Sequence, residues 1–277
     1  MQLTKEQLGF YSENGFLLLP ECFSTVEVGR MSAELPSLLG EDSQCRVVEK
    51  EGGAVRSIYG SNIKNEVFRR LSCHPRIVEP ARQILNSDVY VYQFKINIKS
   101  AFSGDLWDWH QDFIYWQNED GVPSDRMISV AVFIDNVNEF NGPVFLIPGS
   151  HRQGTLEVIA RNVISADADS VYKDSPSWIS NLTANIKYPV GSEIVSHLVS
   201  RLGIVAAKGA SGSAMFFHSN LVHASPNNIS PFNRVIAFAT YNSISNIPIP
   251  AGYRRPDYLC SRDYGPLITV SDSALLL

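Results

Sequence analysis

The chain has 277 residues, 44% apolar and 18% charged, long enough for one large domain or two small ones, and since one barrel or sandwich routinely takes about 200 to 250 residues we expect a single domain over 1–277. A net charge of −5, from 23 basic and 28 acidic residues with neither sign in a block, argues against a nucleic-acid partner, and no apolar run approaches the roughly 20 residues that span a bilayer. The start MQLTKEQLGFYSENG has no basic-then-apolar leader, and Cys22, Cys45, Cys73 and Cys260 form no CxxC pair, so free thiols and a cytoplasmic location away from membranes are expected.

Thr4 to Asn14 reads as a short helix, with Thr4 as N-cap, Gln7 closing a capping box and Gly15 as the stop. Phe16 to Leu19 is a short apolar strand closed by Pro20. Ser24 opens a second helix to about Leu39, and His74 to Leu85 reads as a third, with Pro75 in its first turn. From Asp88 the texture changes to short runs rich in Val, Ile, Tyr and Phe between Gly, Pro, Asn and Ser. VYVYQFKINIK alternates so that Gln93, Lys95, Asn97 and Lys99 leave one face and Phe94, Ile96 and Ile98 the other, as in a strand lining a wet cavity. MISVAVFIDNV, PVFLIPGS, AMFFHS and RVIAFATYN are further strands, with no helices between them to make βαβ units. The expected fold is mainly β, an antiparallel sandwich or barrel from about 88 to 277, with the helical part at about 1–87 outside it. Residues 153–200 read as a polar, irregular insertion and a lid.

Two of the six histidines sit in unusual surroundings. In WDWHQDFIYW, His110 and Asp112 are two residues apart, so on a strand both would leave one face and offer nitrogen and oxygen to one metal. His218 or His223 in FFHSNLVHAS would complete a two-histidine, one-carboxylate triad with three coordination positions left open. Alone, a HxD triplet is as well explained by a hydrogen-bonded surface pair. His151 reads as a loop residue bonded to backbone, Trp107 and Trp109 as packing on the side opposite His110, and Lys95 and Lys99 as a strand face that solvent alone would also explain.

The order HxD, NGPVFLIPGSH, HSNLVHAS and then Arg234 resembles the phytanoyl-CoA dioxygenase family over roughly residues 5 to 265. Within it, WHQDFIYWQNEDGVP is nearest in layout to the ectoine hydroxylase-like hydroxylases of free amino acids, through Trp116, Glu119, Asp120, Gly121 and Pro123. The resemblance implies a double-stranded β-helix, or jelly roll, and a dioxygenase using Fe(II), 2-oxoglutarate and O2. It implies His110, Asp112 and His223 as iron ligands and catalytic centre. His218, five residues before His223, would leave the opposite face of one strand and so reads as a core or outer-shell residue. Arg234 would pair with the distal carboxylate of 2-oxoglutarate, with Asn97, Ser129 and Ser225 as further cosubstrate contacts and Gln93, Lys95 and Trp116 facing the substrate. Lys95, Gln111 and Ile236 stand where ectoine hydroxylases have arginine, serine and asparagine, so a substrate other than ectoine is expected. The reaction implied is hydroxylation of an unactivated C–H bond in a small polar molecule, first a free or modified amino acid, in natural-product metabolism. The same chemistry on a polycyclic natural product or an acyl thioester is the alternative. Asp112 argues against a halogenase, and the intact set of His110, Asp112, His223 and Arg234 against a non-catalytic jelly-roll binding protein.

Overall fold

The computed structural model describes all residues except 50–52, 159, 161–181, 183–185, 251 and 253. Helix α1 (Lys5–Asn14) starts on the expected capping box and stops at Gly15, whose φ of 77° is one that glycine adopts without a Cβ clash. Strand β1 (Phe16–Leu19) follows, then α2 (Thr25–Gly40), capped by Ser24 and Glu27. Between α2 and the expected helix α5 (Pro75–Leu85) lie four elements that the sequence reading missed, β2 (Arg46–Val48), β3 (Val55–Tyr59), α3 (Ser61–Lys64) and α4 (Glu66–Ser72). Each is too short for a period to show.

The β region holds β4 (Val89–Lys99), β5 (Trp107–His110), β6 (Met127–Phe133), β7 (Val144–Leu146), β8 (Val205–Ala207), β9 (Ala214–His218), β10 (His223–Ser225) and β11 (Arg234–Ser243), with α6 (Phe113–Asp120) after β5. They form two antiparallel sheets, ordered β1-β9-β6-β11-β4-β3-β2 and β5-β10-β7-β8, the expected jelly roll. Period-two alternation assigns the faces of the larger sheet. Phe94, Ile96, Ile98, Val130, Val132, Phe216, Val235 and Ala237 pack outward against α1, α2, α4 and α5. Ala131, Phe133, Met215, Phe217, Ile236 and Phe238 point inward and meet Val144, Leu146 and Ala207 of the smaller sheet. Fully buried Ile96 ties β4 to the helical layer, and Ile96→Ala would cost about 2–5 kcal/mol. The remaining inward positions of β4 are Gln93, Lys95, Asn97 and Lys99, so the polar half of its alternation faces the space between the sheets.

The insertion differs from the expectation at its C-terminal end, where α7 (Ser192–Leu202) is a regular helix. Leu198 and Val190 pack with Ile147 and Val222, while Ile186 and Tyr188 join Tyr115 and Trp116. The expected lid falls otherwise mostly on 161–181 and 183–185, outside the described residues. Among the described residues no helix is long and apolar enough to cross a membrane.

Candidate active site

Across the β5–β10 pair, His110 faces His223. Asp112 is not on the strand: its φ of −69° and ψ of −39° are helical, at the step from β5 into α6. The turn after His110, rather than strand alternation, brings the carboxylate back beside the imidazole, with Asp112 Oδ1 3.8 Å from His110 Nε2. Although Asp112 stands at the N-cap, its side chain does not cap the helix. Ligand atoms of His110, Asp112 and His223 all lie within 4.8 Å of one another. His110 Nδ1 lies 2.6 Å from the Asp108 carbonyl and His223 Nδ1 2.9 Å from the Leu221 carbonyl, so each Nδ1–H is used by backbone and each Nε2 lone pair is left for a metal. Burial, with His223 nearby and against the pull of Asp112, lowers the His110 pKa to about 3, so the ring is neutral as a ligand requires. Burial raises the Asp112 pKa, but His223, Lys95 and His110 outweigh it and keep the group an anion. Two neutral nitrogens and one carboxylate are the donor set that suits a non-haem iron(II).

His218 ends β9, on a different strand from His223, and stacks against His151 with ring centroids 5.1 Å apart. The expectation that it stays out of the triad agrees with this geometry, for a reason other than alternation along one strand. His151 Nε2 lies 3.2 Å from the Ser12 carbonyl, the backbone contact expected of it.

Arg234 is 1% exposed. Its Nε donates to the Gly142 carbonyl at 3.1 Å and its Nη2 to Ser225 Oγ at 3.3 Å, while Nη1 has no hydrogen-bonding partner among the described residues. Burial and the charge of Arg56, opposed by Asp135, push its pKa down to about 9, which leaves a protonated, half-satisfied cation inside the protein. A carboxylate completes such a site, and 2-oxoglutarate brings one at its distal end. Of the residues expected at the cosubstrate, Ser225 also donates to the Gly142 carbonyl, Ser129 bonds Thr240 Oγ1 at 3.0 Å and Asn97 Oδ1 accepts from Ser57.

Gln93, Lys95 and Trp116 line one small cavity with His110 and Asp112. Lys95 Nζ has no hydrogen-bonding partner among the described residues and lies 5.3 Å from the Phe238 ring centroid and 5.8 Å from that of Trp107. Gln93 Nε2 donates to the Leu259 carbonyl at 2.7 Å and so ties the C-terminal segment over the cavity. Trp116 is both wall and core, 4% exposed and edge-on to Tyr92. Gln111 and Ile236 do not line the cavity. Gln111 donates to the carbonyls of Gly154 and Asn220 and accepts from Leu156 N–H, and Ile236 lies in the core between the sheets.

Five lining residues escaped the sequence reading, Tyr59, Trp107, Leu182, Ile186 and Arg255. His223 pairs with His110 but Ser225 with Trp107, so β5 carries one extra residue, and this bulge turns Trp107 to the His110 side. Trp109 packs with Val190 and Val222 as expected. Arg255, 4% exposed, makes a two-pronged pair with Asp120, which also accepts from the Tyr92 hydroxyl. The next residue, Gly121, has a φ of 73° and lies so close to the Ile249 carbonyl that a Cβ would clash. The EDG segment is thus the anchor of the C-terminal segment.

The family described as phytanoyl-CoA dioxygenase (PhyH) matches residues 11–236. The chain is 36% identical to the L-proline trans-4-hydroxylase of Streptomyces griseoviridis over 265 residues, covering 96% of this chain and 95% of that one. It is 35% identical to the ectoine dioxygenase of Bordetella bronchiseptica over 282 residues, covering 99% and 88%. The crystal structure of EctD from S. alaskensis with 2-oxoglutarate and 5-hydroxyectoine superposes with a TM-score of 0.81 at 30% identity, covering 97% of this chain and 87% of that one. The pairing of a jelly roll with a His-Asp-His cluster at its mouth therefore has a family context, and the chain belongs to the phytanoyl-CoA dioxygenase family.

Proposed function

We propose that the protein is an Fe(II)- and 2-oxoglutarate-dependent dioxygenase that hydroxylates an unactivated C–H bond of a small free amino acid. The observation that carries this reading is the convergence of His110, Asp112 and His223 within 4.8 Å at the wall of a cavity whose other polar groups include the cations Lys95 and Arg255. Iron(II), bound with 2-oxoglutarate and O2, supplies the oxidation that puts one oxygen atom into the C–H bond and the other into succinate, with loss of CO2. His110, Asp112 and His223 hold the metal on one side, and Arg234 with Ser225 orients the cosubstrate. Lys95 and Arg255 face a carboxylate, while Trp116, Tyr115 and Ile186 give the aliphatic body an apolar wall and exclude water. Lys95 holds that carboxylate as a point charge, without the fork an arginine would offer. The names of the relatives, a proline hydroxylase and ectoine dioxygenases, fit a compact carboxylate of this kind. We place the protein in the cytoplasm, where the free thiols of Cys22, Cys45, Cys73 and Cys260 stay reduced.

Incubating the purified protein with iron(II), 2-oxoglutarate and a panel of L-proline, other free amino acids and ectoine, while following succinate and hydroxylated product, tests the reading. Product from a free amino acid supports it. Turnover confined to acyl thioesters or to neutral apolar compounds contradicts the substrate class.

A further inference from the structure

Arg56 sits where β3 bulges. Ser57 faces Val47 and Val55 faces Val48, so Arg56 is the extra residue, and a bulge re-aims the side chain it carries. Val55 and Ile58 both enter the core beneath the helices, whereas Arg56 turns toward β5. Its side chain is 1% exposed. Nη1 donates to Glu49 Oε2 at 2.9 Å and to the Asp105 carbonyl at 3.4 Å, and Nη2 donates to the Leu106 carbonyl at 2.6 Å. The guanidinium carbon stands 3.8 Å from the centroid of the Trp107 ring. Glu49 completes the clamp by accepting the Asp105 N–H at 3.2 Å.

What this clamp holds is close to the chemistry. Residues 105–107 lead into His110, and among the described residues β5 is an edge strand paired with β10, its other side held at Trp109 by the Val190 N–H at 2.7 Å but by no strand at residues 105–107. Trp107 is a wall of the cavity that contains His110 and Lys95. A guanidinium stacked on an indole face and hydrogen-bonded at two carbonyls restrains both the ring and the strand leading to it.

We propose that Arg56 is a positioning residue for the oxidation: from behind the cavity wall it fixes the Trp107 indole and the approach of β5 to His110, so that the substrate presents one C–H bond to the iron site. This rests on the oxygenase reading above. The consequence is coupling. With Trp107 free to turn, the substrate is held loosely and 2-oxoglutarate is oxidised to succinate and CO2 without hydroxylated product, the two electrons that the substrate no longer gives to the second oxygen atom coming from an ascorbate-type reductant added to the assay, which leaves that atom as water.

The test compares Glu49→Gln/Arg56→Met, which removes both charges so that neither is left buried alone, with Trp107→Leu and with all three changes together. Acrylamide quenching of tryptophan fluorescence in the metal-free protein reads the stack, calorimetry reads iron(II) and 2-oxoglutarate binding, and the ratio of succinate to hydroxylated product reads coupling on the amino acid turned over best. The charge-pair variant is expected to quench about twofold more than the parent, an increase absent when Trp107 is leucine, and to bind iron(II) and 2-oxoglutarate within about threefold of the parent. Its succinate-to-product ratio should rise from near one to about three or more, Trp107→Leu should match it, and the triple change should add nothing. Arg56→Lys should stay uncoupled, because a lysine cannot bridge both carbonyls. Folded variants with parental quenching and parental coupling would overturn the proposal, as would effects of Arg56 and Trp107 that multiply. If the charge-pair variant does not fold, Trp107→Leu decides, and a parental ratio there overturns it. Absence of turnover with every compound in the panel counts against the oxygenase reading instead, and the quenching comparison still decides whether Arg56 holds Trp107.

Discussion

His110 and His223 face each other across the β5–β10 pair with ring centroids 4.1 Å apart, each with Nδ1 beside the carbonyl two residues earlier in the chain. The histidines are thus aimed by backbone before any metal arrives. Asp112 supplies the charge.

Removing a ligand should therefore cost metal and activity but little fold. Asp112→Ala and His223→Ala should weaken iron(II) binding by more than the roughly 10–100-fold that a lost outer-shell partner costs, and abolish turnover, with the melting temperature of the metal-free protein close to the parent's. Iron titration and thermal unfolding check this. Near-normal oxygenase activity in either variant would remove that residue from the ligand set.

Arg234→Leu should act in opposite directions on cosubstrate binding and on the empty protein. The guanidinium is buried with Nη1 unpaired, so its loss should leave the stability of the cosubstrate-free protein unchanged or higher. The requirement for 2-oxoglutarate should rise about a hundredfold or more, from about 3–5 kcal/mol for a carboxylate left without its partner. Arg234→Lys should recover part of the loss. Unchanged 2-oxoglutarate saturation in the leucine variant would place the cosubstrate elsewhere.

Lys95 and the Asp120–Arg255 pair separate substrate binding from folding. Lys95→Ala should raise the substrate KM by about 1.5–3 kcal/mol in free-energy units, with 2-oxoglutarate affinity little changed, because Lys95 has no hydrogen bond to lose among the described residues. Asp120→Ala should instead destabilise the fold by about 3–5 kcal/mol, since it strands the buried Arg255 cation and the Tyr92 hydroxyl. Steady-state kinetics and denaturant unfolding tell the two apart. Parental KM in Lys95→Ala would move the carboxylate away from Lys95.

Acid should weaken the protein partly through His218. Burial first, then the neighbouring His151, opposed by Asp125, lower its pKa from 6.5 to about 4. Between those values the unfolded chain binds a proton that the folded one does not, so this stabilisation is complete above pH 6.5 and drains away as pH falls toward 4, by on the order of 3 kcal/mol. His218 Nδ1 accepts the Asn220 N–H at 3.0 Å, and protonation there would displace that bond. His218→Asn, which keeps an acceptor, should flatten the loss in pH-dependent urea unfolding. An unchanged slope would show that other groups carry it.

Sequence patterns carried far in the regular parts and failed where the backbone departs from its period. Alternation in VYVYQFKINIK placed Gln93, Lys95, Asn97 and Lys99 on the cavity face because β4 pairs regularly with β11 from Gln93 to Lys99, its one register shift falling before Gln93. Trp107 was assigned to the wrong side because the β5 bulge adds one residue and reverses the alternation. Arg56 was invisible for the same reason on β3, and the convergence of His110 with Asp112 depends on a turn instead of a strand. Arg255 lies in an irregular segment where no period applies, although the acidic partner Asp120 in the EDG motif was in plain view. The end of the insertion, α7, was read as loop although its apolar Ile194, Leu198 and Leu202 recur at helical spacing.

The most direct measurement is turnover under ¹⁸O₂ with iron(II), 2-oxoglutarate and the amino acid accepted best, followed by mass spectrometry of succinate. One labelled oxygen in each succinate, in step with hydroxylated product and absent in Asp112→Ala, is the predicted result. Unlabelled succinate, or labelled succinate that persists in Asp112→Ala, would contradict the assignment of this site as an iron and 2-oxoglutarate dioxygenase centre.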